Sequence, residues 1–280
     1  MRGDRFEIHR YRALSPEPVE LHHHDFYEVY FFLCGPVSYH VESRTYALAP
    51  RDILLISPTE LHQPVFSAQS AEAYERIVLW LQPSYLKALS SGQSDLRRCF
   101  DVLDPGHVNL LRPGPVMGQA LFERVEALME AEKAGENGEF GADLLCDAHL
   151  IELLVALNRQ AQRQPARYTL PDSHSAPFVA NALQYIGEHY DSEISLDDLA
   201  ARCFVSKYHL SREFRRLVGS PVYRYIIQKR LIMAKQRLLA GESPTNIYSS
   251  CGFGDYANFY RAFRSEYGIS PREFAQSARS

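Results

Sequence analysis

The last hundred residues of the chain contain an internal repeat, and this repeat limits the fold more than any other feature of the sequence. Two segments resemble each other at an offset of 49 residues, and each reads as a short helix, a turn and a longer helix ending in Phe-Arg-x-x-x-Gly. The matched pairs are Phe204/Phe253, Leu210/Phe259, Arg212/Arg261, Phe214/Phe263, Arg215/Arg264 and Gly219/Gly268. Helix, tight turn, helix is the layout of a helix-turn-helix unit, whose second helix can enter a DNA major groove. The repeat therefore predicts two such units.

The second helix of each unit has one apolar face and one polar face. The apolar positions, which we expect in the core, are Leu210, Phe214 and Leu217 in the first unit and Phe259, Phe263 and Tyr267 in the second. The opposite face is rich in hydrogen-bond donors that can contact phosphates or base edges. The predicted DNA-binding residues are Lys207, Tyr208, Ser211, Arg212, Arg215, Tyr256, Ala257, Asn258, Tyr260, Arg261 and Arg264.

The alternative for these faces is that arginine and tyrosine merely solvate an exposed helix. Two observations favour DNA binding: the layout occurs twice, and this part of the chain is basic. From residue 178 onward there are 14 Lys+Arg against 10 Asp+Glu, whereas residues 1–177 have 16 against 24 and the whole chain has a net charge of −4. The two parts of the chain are therefore expected to have different partners.

A long helix is predicted between the two units. Residues 222–240 contain neither glycine nor proline, and nineteen helical residues span about 28 Å. Recognition helices that read successive turns of one face of DNA lie about 34 Å apart. A rigid connecting helix thus makes simultaneous binding by both units of one chain geometrically reasonable.

At these residues the chain resembles the AraC/XylS-type transcription regulators. The resemblance is carried by "CGFGDYANFYRAFRSEYGISPREF" (251–274) and by "SLDDLAARCFVSKYHLSREFRRLVGSPVYRYI" (195–226). It implies two helix-turn-helix units joined by a long helix, with Tyr208, Ser211 and Arg212 of the first unit facing the DNA grooves. In the second unit the resemblance places Tyr256, Ala257, Tyr260 and Arg261 there.

The N-terminal part has a different periodicity. Residues 5–82 contain short segments rich in β-branched and aromatic residues, separated by turn sequences such as "CGP" and "SPTE", which indicates a β-sandwich or barrel. After Pro83 the pattern becomes helical, with amphipathic helices predicted at 115–134 and 141–164. The second of these is apolar over a wide face, so it can pack on its own barrel or against a second subunit. Residues 163–177 contain three prolines and no periodicity, which predicts a linker.

The cysteines and the lengths of the apolar stretches indicate the cellular compartment of the protein. The five cysteines are scattered without a Cys-x-x-Cys pair, so zinc ribbons and disulfide frameworks are disfavoured and a reducing compartment fits better. No apolar stretch approaches the roughly 18 residues typical of a membrane span. We therefore expect a cytoplasmic protein without a membrane partner.

The sequence "LHHHDFYEVYFFLCG" (21–35) resembles the first motif of the cupins, and "APRDILLISPTELH" (49–62) resembles the second. In metal-binding cupins such histidines and the glutamate converge inside the barrel, which here implies His22, His24, Glu28 and His62 as metal ligands. Alternation along a strand would point His22 and His24 the same way, and Glu28 and Tyr30 share a parity. The second motif departs from the metal-binding pattern because Arg51 stands where a glycine is usual.

Three interpretations of this cluster stay open at the level of sequence. The histidines can hold a divalent metal, they can only hydrogen-bond the ends of strands, or they can recognise a small polar ligand. For the last interpretation the predicted ligand-binding residues are His22, His24, Glu28, Tyr30, His62 and Trp80, with the aromatic rings as stacking surfaces. A metal-dependent dioxygenase or isomerase is disfavoured, because an enzyme has little use for a domain that reads DNA.

These observations predict a cupin-like β-barrel with helices at 1–163, a linker at 164–177 and an all-α domain with two helix-turn-helix units at 178–280. The expected function is a sequence-specific transcription regulator, not an enzyme. The family resemblance favours an activator that responds to a small polar effector, such as a sugar. The expected partners are double-stranded DNA, the effector, a second copy joined through 141–163, and RNA polymerase. No cofactor is required; the alternative is a metal-binding cupin sensor or cupin enzyme fused to the DNA-binding domain.

Overall fold

A computed structural model describes residues 1, 3–66, 73–164 and 177–277. The chain forms two compact units, one built from the elements that precede residue 165 and one from those that follow residue 176. The expected division into a β-rich N-terminal part and a helical C-terminal part is confirmed. The predicted linker, 164–177, lies almost entirely outside the described residues.

The first unit contains two antiparallel sheets. Its strands are β1 (Phe6–Ala13), β2 (Tyr27–Cys34), β3 (Val37–Val41), β4 (Arg44–Ala47), β5 (Ile53–Ile56), β6 (His62–Phe66), β7 (Tyr74–Leu81) and β8 (Leu110–Leu111). Five strands form one sheet in the order β1-β7-β2-β5-β8, and three form the other in the order β4-β3-β6. The two sheets pack face to face, which is the cupin-like architecture expected from the sequence.

Alternation along β2 shows how the layers are built. Tyr30 and Phe32 face the three-stranded sheet and join its core with Tyr39 of β3. Val29 and Phe31 face the other way and belong to a second core shared with the helices. Because successive side chains of a strand point to opposite faces, an uninterrupted apolar run such as this is what a strand buried on both sides requires.

Three helices cover the outer face of the five-stranded sheet. They are α1 (Pro83–Leu89), α2 (Pro115–Glu136) and α3 (Ala142–Arg163). Proline occupies the first turn of α1 and of α2, where its missing N–H costs no hydrogen bond. The helix predicted at 115–134 runs two residues further, and the predicted 141–164 helix matches α3 to within one residue at each end. A short 3₁₀ helix, Arg98–Phe100, lies between α1 and β8.

The second unit consists of seven helices in the described residues. They are α4 (Pro177–His189), α5 (Leu196–Arg202), α6 (Lys207–Val218), α7 (Val222–Leu239), α8 (Pro244–Ser250), α9 (Tyr256–Tyr267) and α10 (Pro271–Ser277). The repeat noted in the sequence corresponds to the pairs α5–α6 and α8–α9, and α7 is the predicted connecting helix. In the described part of the chain, no helix combines the length and the apolar character needed to cross a membrane.

The two longer helices of the repeat have the same caps. Ser206 and Asp255 accept hydrogen bonds from the backbone N–H three residues later at the starts of α6 and α9. Gly219 and Gly268 end the helices with φ of 74° and 76°. A side-chain oxygen at the N-cap and a left-handed glycine at the C-cap commonly begin and end α-helices. The repeated residues therefore specify both ends of each helix.

The turns within the two units differ. Four residues separate α5 from α6 and five separate α8 from α9. The left-handed position falls on Phe204 (φ 55°) in the first turn and on Gly252 (φ 83°) in the second. Phe204 is 96% exposed. A left-handed backbone is unfavourable for a bulky residue, and here no burial of the ring compensates for it.

Three details of the sheets differ from the sequence reasoning. The sequence pattern did not identify β1, β6 or the short β8 as separate strands. Residues 21–26 do not form a strand, since His22 makes only an isolated bridge to His62. The common direction of the His22 and His24 rings therefore does not come from strand alternation. Arg51, where cupins usually have glycine, has φ of 76°, so the backbone keeps the left-handed conformation that glycine favours.

We predict that Gly252→Ala destabilises the second unit by about 2 kcal/mol or more, because a left-handed alanine costs about 1–2 kcal/mol and its Cβ has no space. The added atom would collide with the Tyr190 carbonyl and lie 2.7 Å from Nε of Arg230. That Nε donates to the same carbonyl at 2.8 Å. Urea denaturation of the full chain measures the effect. Gly254→Ala is the matched control, since nothing lies within 4 Å of its Cβ position; equal losses for the two variants would contradict this account.

Candidate DNA-binding surface and histidine cluster

The outward face of α6 presents the residues that the sequence assigned to DNA. Lys207, Tyr208, Arg212 and Arg215 are exposed and Ser211 is half-buried. On the other face Leu210 and Phe214 are fully buried, whereas Val218 rather than Leu217 completes the buried stripe. The amphipathic division that the sequence predicts is thus present, and the arginines point away from the core.

The outward face of α9 repeats this arrangement. Ala257, Asn258, Arg261 and Arg264 are exposed, and Phe259 and Phe263 are fully buried on the opposite face. Tyr256 and Tyr260 are half-buried and lie against each other, with ring centroids 6.4 Å apart. Tyr256 also packs on Phe259, so its ring is partly a core residue.

Local contacts position several of these side chains. Nε of Arg212 lies 3.2 Å from Glu213, and Arg216 binds the other oxygen of the same carboxylate at 2.8 Å. The guanidinium of Arg261 donates to the side-chain oxygen of Asn258. Such exposed ion pairs contribute little to stability. In the protein without DNA they favour one orientation of these side chains, and the side chains stay able to move onto DNA. Glu213 and Arg216 were not singled out by the sequence reasoning.

In the first unit the structure brings together most of the predicted ligand-binding residues. An isolated bridge pairs the backbones of His22 and His62, and their ring centroids lie 4.4 Å apart. The His24 ring lies 4.8 Å from that of His62, and its Nε2 is 3.2 Å from Oε2 of Glu28. We call the residues His22, His24, Glu28 and His62 the histidine cluster.

Each ring of the histidine cluster is oriented by a backbone carbonyl. Nδ1 lies 2.8 Å from the Glu20 carbonyl in His22, 2.8 Å from that of Phe26 in His24, and 2.9 Å from that of Glu60 in His62. A carbonyl oxygen only accepts hydrogen bonds, so every one of these Nδ1 atoms must carry the proton. In a neutral ring the other nitrogen, Nε2, then holds a lone pair.

Glu28 is the buried anion of the cluster. Its side chain lies at the start of β2, with 5% of the residue exposed, and Oε2 accepts a hydrogen bond from the Trp80 indole at 2.8 Å. Burial by itself raises the pKa of Glu28, but the hydrogen bonds with His24 and from the Trp80 indole outweigh burial and hold the pKa below its usual range. The carboxylate is therefore charged at neutral pH.

His62 is fully buried, and burial lowers its pKa to about 3. The ring is therefore neutral at neutral pH. Its Nε2 has no hydrogen-bond partner among the described residues. A buried acceptor without a partner is uncommon in folded proteins and calls for an explanation.

The other two predicted ligand-binding residues have different positions. Trp80 is adjacent to the cluster through its bond to Glu28. Tyr30 lies deeper between the sheets, with its ring 4.9 Å from that of Tyr39 and its hydroxyl hydrogen-bonded to that of Tyr74. It is 1% exposed, so it presents no open ring face.

Two neighbours of the cluster were missed by the sequence reasoning. The Phe26 ring stacks on His24 at 3.8 Å. Burial and then the charge of Glu28 raise the pKa of Tyr39 well above its ordinary value, and its hydroxyl hydrogen-bonds that carboxylate. Phe26 follows the His-x-His pair by only two residues, but nothing in the sequence pairs Tyr39 with Glu28, since they come from different sheets.

The histidine cluster has the composition of a metal site. The ligand atoms of His24, Glu28 and His62 all lie within 4.8 Å of one another. A separate cavity of about 360 Å³ in the same unit is lined by residues including Arg98, His107 and Asn158, and contains none of the predicted site residues.

Comparison with protein families agrees with both units. The model of the AraC-like ligand-binding domain matches residues 7–154, and a helix-turn-helix domain model matches residues 199–277. The first match alone covers more than half of the chain. The chain belongs to the AraC family of transcription regulators.

Curated relatives of this AraC-family chain are transcription regulators and not enzymes. The HTH-type transcriptional activator RhaS of Salmonella schwarzengrund is 24% identical over 267 residues, which cover 95% of this chain and 89% of the relative. RhaS of Enterobacter sp. strain 638 is 26% identical with the same coverage. Among solved structures, the C-terminal domain of AraT, a response regulator from Geobacillus stearothermophilus, is 26% identical with a TM-score of 0.36, covering 38% of this chain and 88% of that one. As an AraC-family member, the chain is a DNA-binding transcription regulator with a ligand-binding domain.

Proposed function

We propose that the chain is a sequence-specific transcription activator that binds DNA through the exposed faces of α6 and α9. The observation that carries this proposal is the repetition: both helices have a buried apolar stripe, exposed arginines at matching positions (212/261 and 215/264), and the same kinds of cap. A helix face that only needed to be soluble would have no reason to repeat its arginine positions in a second unit.

The proposed roles of the side chains on each helix, base contact or phosphate contact, follow from their chemistry. Arg212 and Arg261 can form two parallel hydrogen bonds with a guanine edge, which makes them the proposed readers of sequence. Lys207, Arg215 and Arg264 are proposed to contact phosphates, which fix the position of the protein on the duplex. Between the units, α7 has 18 residues and thus a length of about 27 Å, which suits units that occupy successive turns of the major groove.

The ligand-binding domain is proposed to sense a small polar effector, such as a sugar, at the histidine cluster. The cluster offers a charged carboxylate and imidazole groups beside the aromatic faces of Trp80 and Phe26, a combination typical of sites for polar ligands with an apolar ring face. The effector must bind one arrangement of the two domains and the 164–177 linker better than another, since otherwise it cannot shift the equilibrium between them. Activation is proposed because the curated relatives RhaS are described as activators; it implies contact with RNA polymerase in the cytoplasm.

The proposed oligomer is a homodimer formed through α3. Leu144 and Leu145 of this helix are 68% and 52% exposed. Leu144, Ala148, Ile151 and Val155 follow the 4-3-4 spacing of a helix-helix seam. Two linked DNA-binding domains would strengthen binding to paired half-sites through effective concentration.

We predict that Arg212→Ala and Arg261→Ala each weaken binding to the operator by about 1–3 kcal/mol and relax preference at one base position, as expected when a bidentate contact to a base is removed. Fluorescence anisotropy with operator DNA and with single-base variants of it measures both effects. Arg12→Ala is the matched control, because Arg12 is an exposed arginine of β1, outside both the DNA-binding domain and the proposed dimer helix. Unchanged operator affinity in both test variants would show that α6 and α9 do not read DNA.

We also predict that Leu144→Glu combined with Leu145→Glu converts the dimer to a monomer, because two charges would be buried in an apolar interface. Sedimentation velocity of the full chain at micromolar concentration distinguishes the two states. Val116→Glu is the control, since Val116 is 86% exposed but lies on α2. A parent chain that sediments as a monomer, or a double variant that still dimerises, would rule out the α3 interface.

A further inference from the structure

We propose that the histidine cluster binds one divalent first-row transition-metal ion, with His24, Glu28 and His62 as ligands and His22 as a fourth ligand at the exposed side. This inference rests on the proposed function in one respect: the cluster is also the proposed effector site. Metal binding itself needs neither the effector nor DNA.

The first argument is the direction of the lone pairs. Each histidine of the cluster donates its Nδ1–H to a backbone carbonyl, so the free electron pair of each neutral ring is on Nε2. The rings of His22, His24 and His62 converge, with the largest separation between ring centroids 6.2 Å. With all three rings neutral, three oriented lone-pair donors lie next to one carboxylate, which is an arrangement suited to a cation.

The second argument is the contact between His24 and Glu28. Nε2 of His24 lies 3.2 Å from Oε2 of Glu28, and with the proton on Nδ1 both atoms are acceptors. A proton or a cation must therefore lie between them. A proton on His24 would satisfy this pair but would leave Nε2 of His62, which is fully buried, without a partner. An unsatisfied buried acceptor destabilises the folded state, whereas a metal ion satisfies all three side chains at once.

The third argument is geometric. Zinc bonds to nitrogen and oxygen are about 2.0–2.1 Å long, so adjacent ligand atoms in a tetrahedral site are roughly 3.4 Å apart. The separation between His24 and Glu28 is already close to this value. The three ligand atoms lie within 4.8 Å of one another, so His62 would need to move toward the other two by at most about 1.4 Å to reach this separation.

The surrounding contacts are those that metal ligands have elsewhere. A ligating histidine usually donates its other ring N–H to a carbonyl or carboxylate, and a ligating carboxylate is itself hydrogen-bonded. Here the carbonyls of Glu20, Phe26 and Glu60 and the indole of Trp80 have these roles. Imidazole ligands with a single carboxylate favour zinc, iron, nickel or copper over magnesium and calcium, which prefer all-oxygen sites.

The test uses the full chain without a histidine tag, stripped with a chelator and then titrated. Calorimetry with Zn²⁺ is expected to give one equivalent bound per chain with micromolar or tighter affinity. Co²⁺ is expected to give visible ligand-field bands typical of a four-coordinate site with nitrogen ligands. His62→Ala and Glu28→Gln are each expected to weaken Zn²⁺ binding by about 100-fold or more, since loss of a group that only orients a ligand already weakens metal binding by about 10–100-fold.

His23→Ala is the matched control, because His23 is in the same run of histidines but outside the group of ligand atoms; it is expected to bind Zn²⁺ as the parent does. Circular dichroism confirms that each variant is folded, and Glu28→Gln keeps the shape of the side chain should His62→Ala unfold. The proposal is overturned if the parent shows no saturable binding, or if Glu28→Gln binds Zn²⁺ as tightly as the parent. The affinity of the parent chain for operator DNA is measured separately. A parent chain that binds Zn²⁺ but not DNA would contradict the proposed regulator function and leave the metal proposal standing.

Discussion

The charge of Glu28, buried between the two sheets, is the constraint on which the rest of the ligand-binding domain depends. An ionised carboxylate is stable in such a place only with hydrogen bonds and opposite charge around it. The chain supplies these from three separate segments: His24 just before β2, Trp80 from β7 and Tyr39 from the facing sheet. The fold around the cluster is therefore arranged to hold one anion, which an ordinary apolar core does not need.

The DNA-binding domain depends on local rules instead. Capping residues begin α6 and α9, left-handed glycines end them, and a buried apolar stripe fixes which face points outward. These signals are present twice, and they determine the outward direction of the arginines without any long-range contact. The two domains thus reach their functional surfaces by different routes, one by assembly of distant segments and one by repetition of a short pattern.

This difference explains what the sequence could and could not predict. The two helix-turn-helix units, the helix between them and the exposure of Arg212 and Arg261 followed from repetition and periodicity. In the ligand-binding domain, strand alternation correctly placed Glu28 and Tyr30 on one side of β2. It did not explain the positions of His22 and His24, since His22 makes an isolated bridge to His62 and the His24 ring bonds the Phe26 carbonyl. The contact between Tyr39 and Glu28 was not predictable, because it depends on how the two sheets face each other.

The most direct test of the central claim is the protonation pattern of the histidine rings. Two-bond ¹H–¹⁵N correlation spectra of the metal-free chain, assigned with the His62→Ala variant, report which ring nitrogen carries the proton. The structure requires His62 to be protonated on Nδ1 at neutral pH, with a free lone pair on Nε2 that faces Glu28. A neutral His62 ring protonated on Nε2 would contradict it, because its Nδ1 could not donate to the Glu60 carbonyl and the cluster would lose the buried one of its three lone-pair donors.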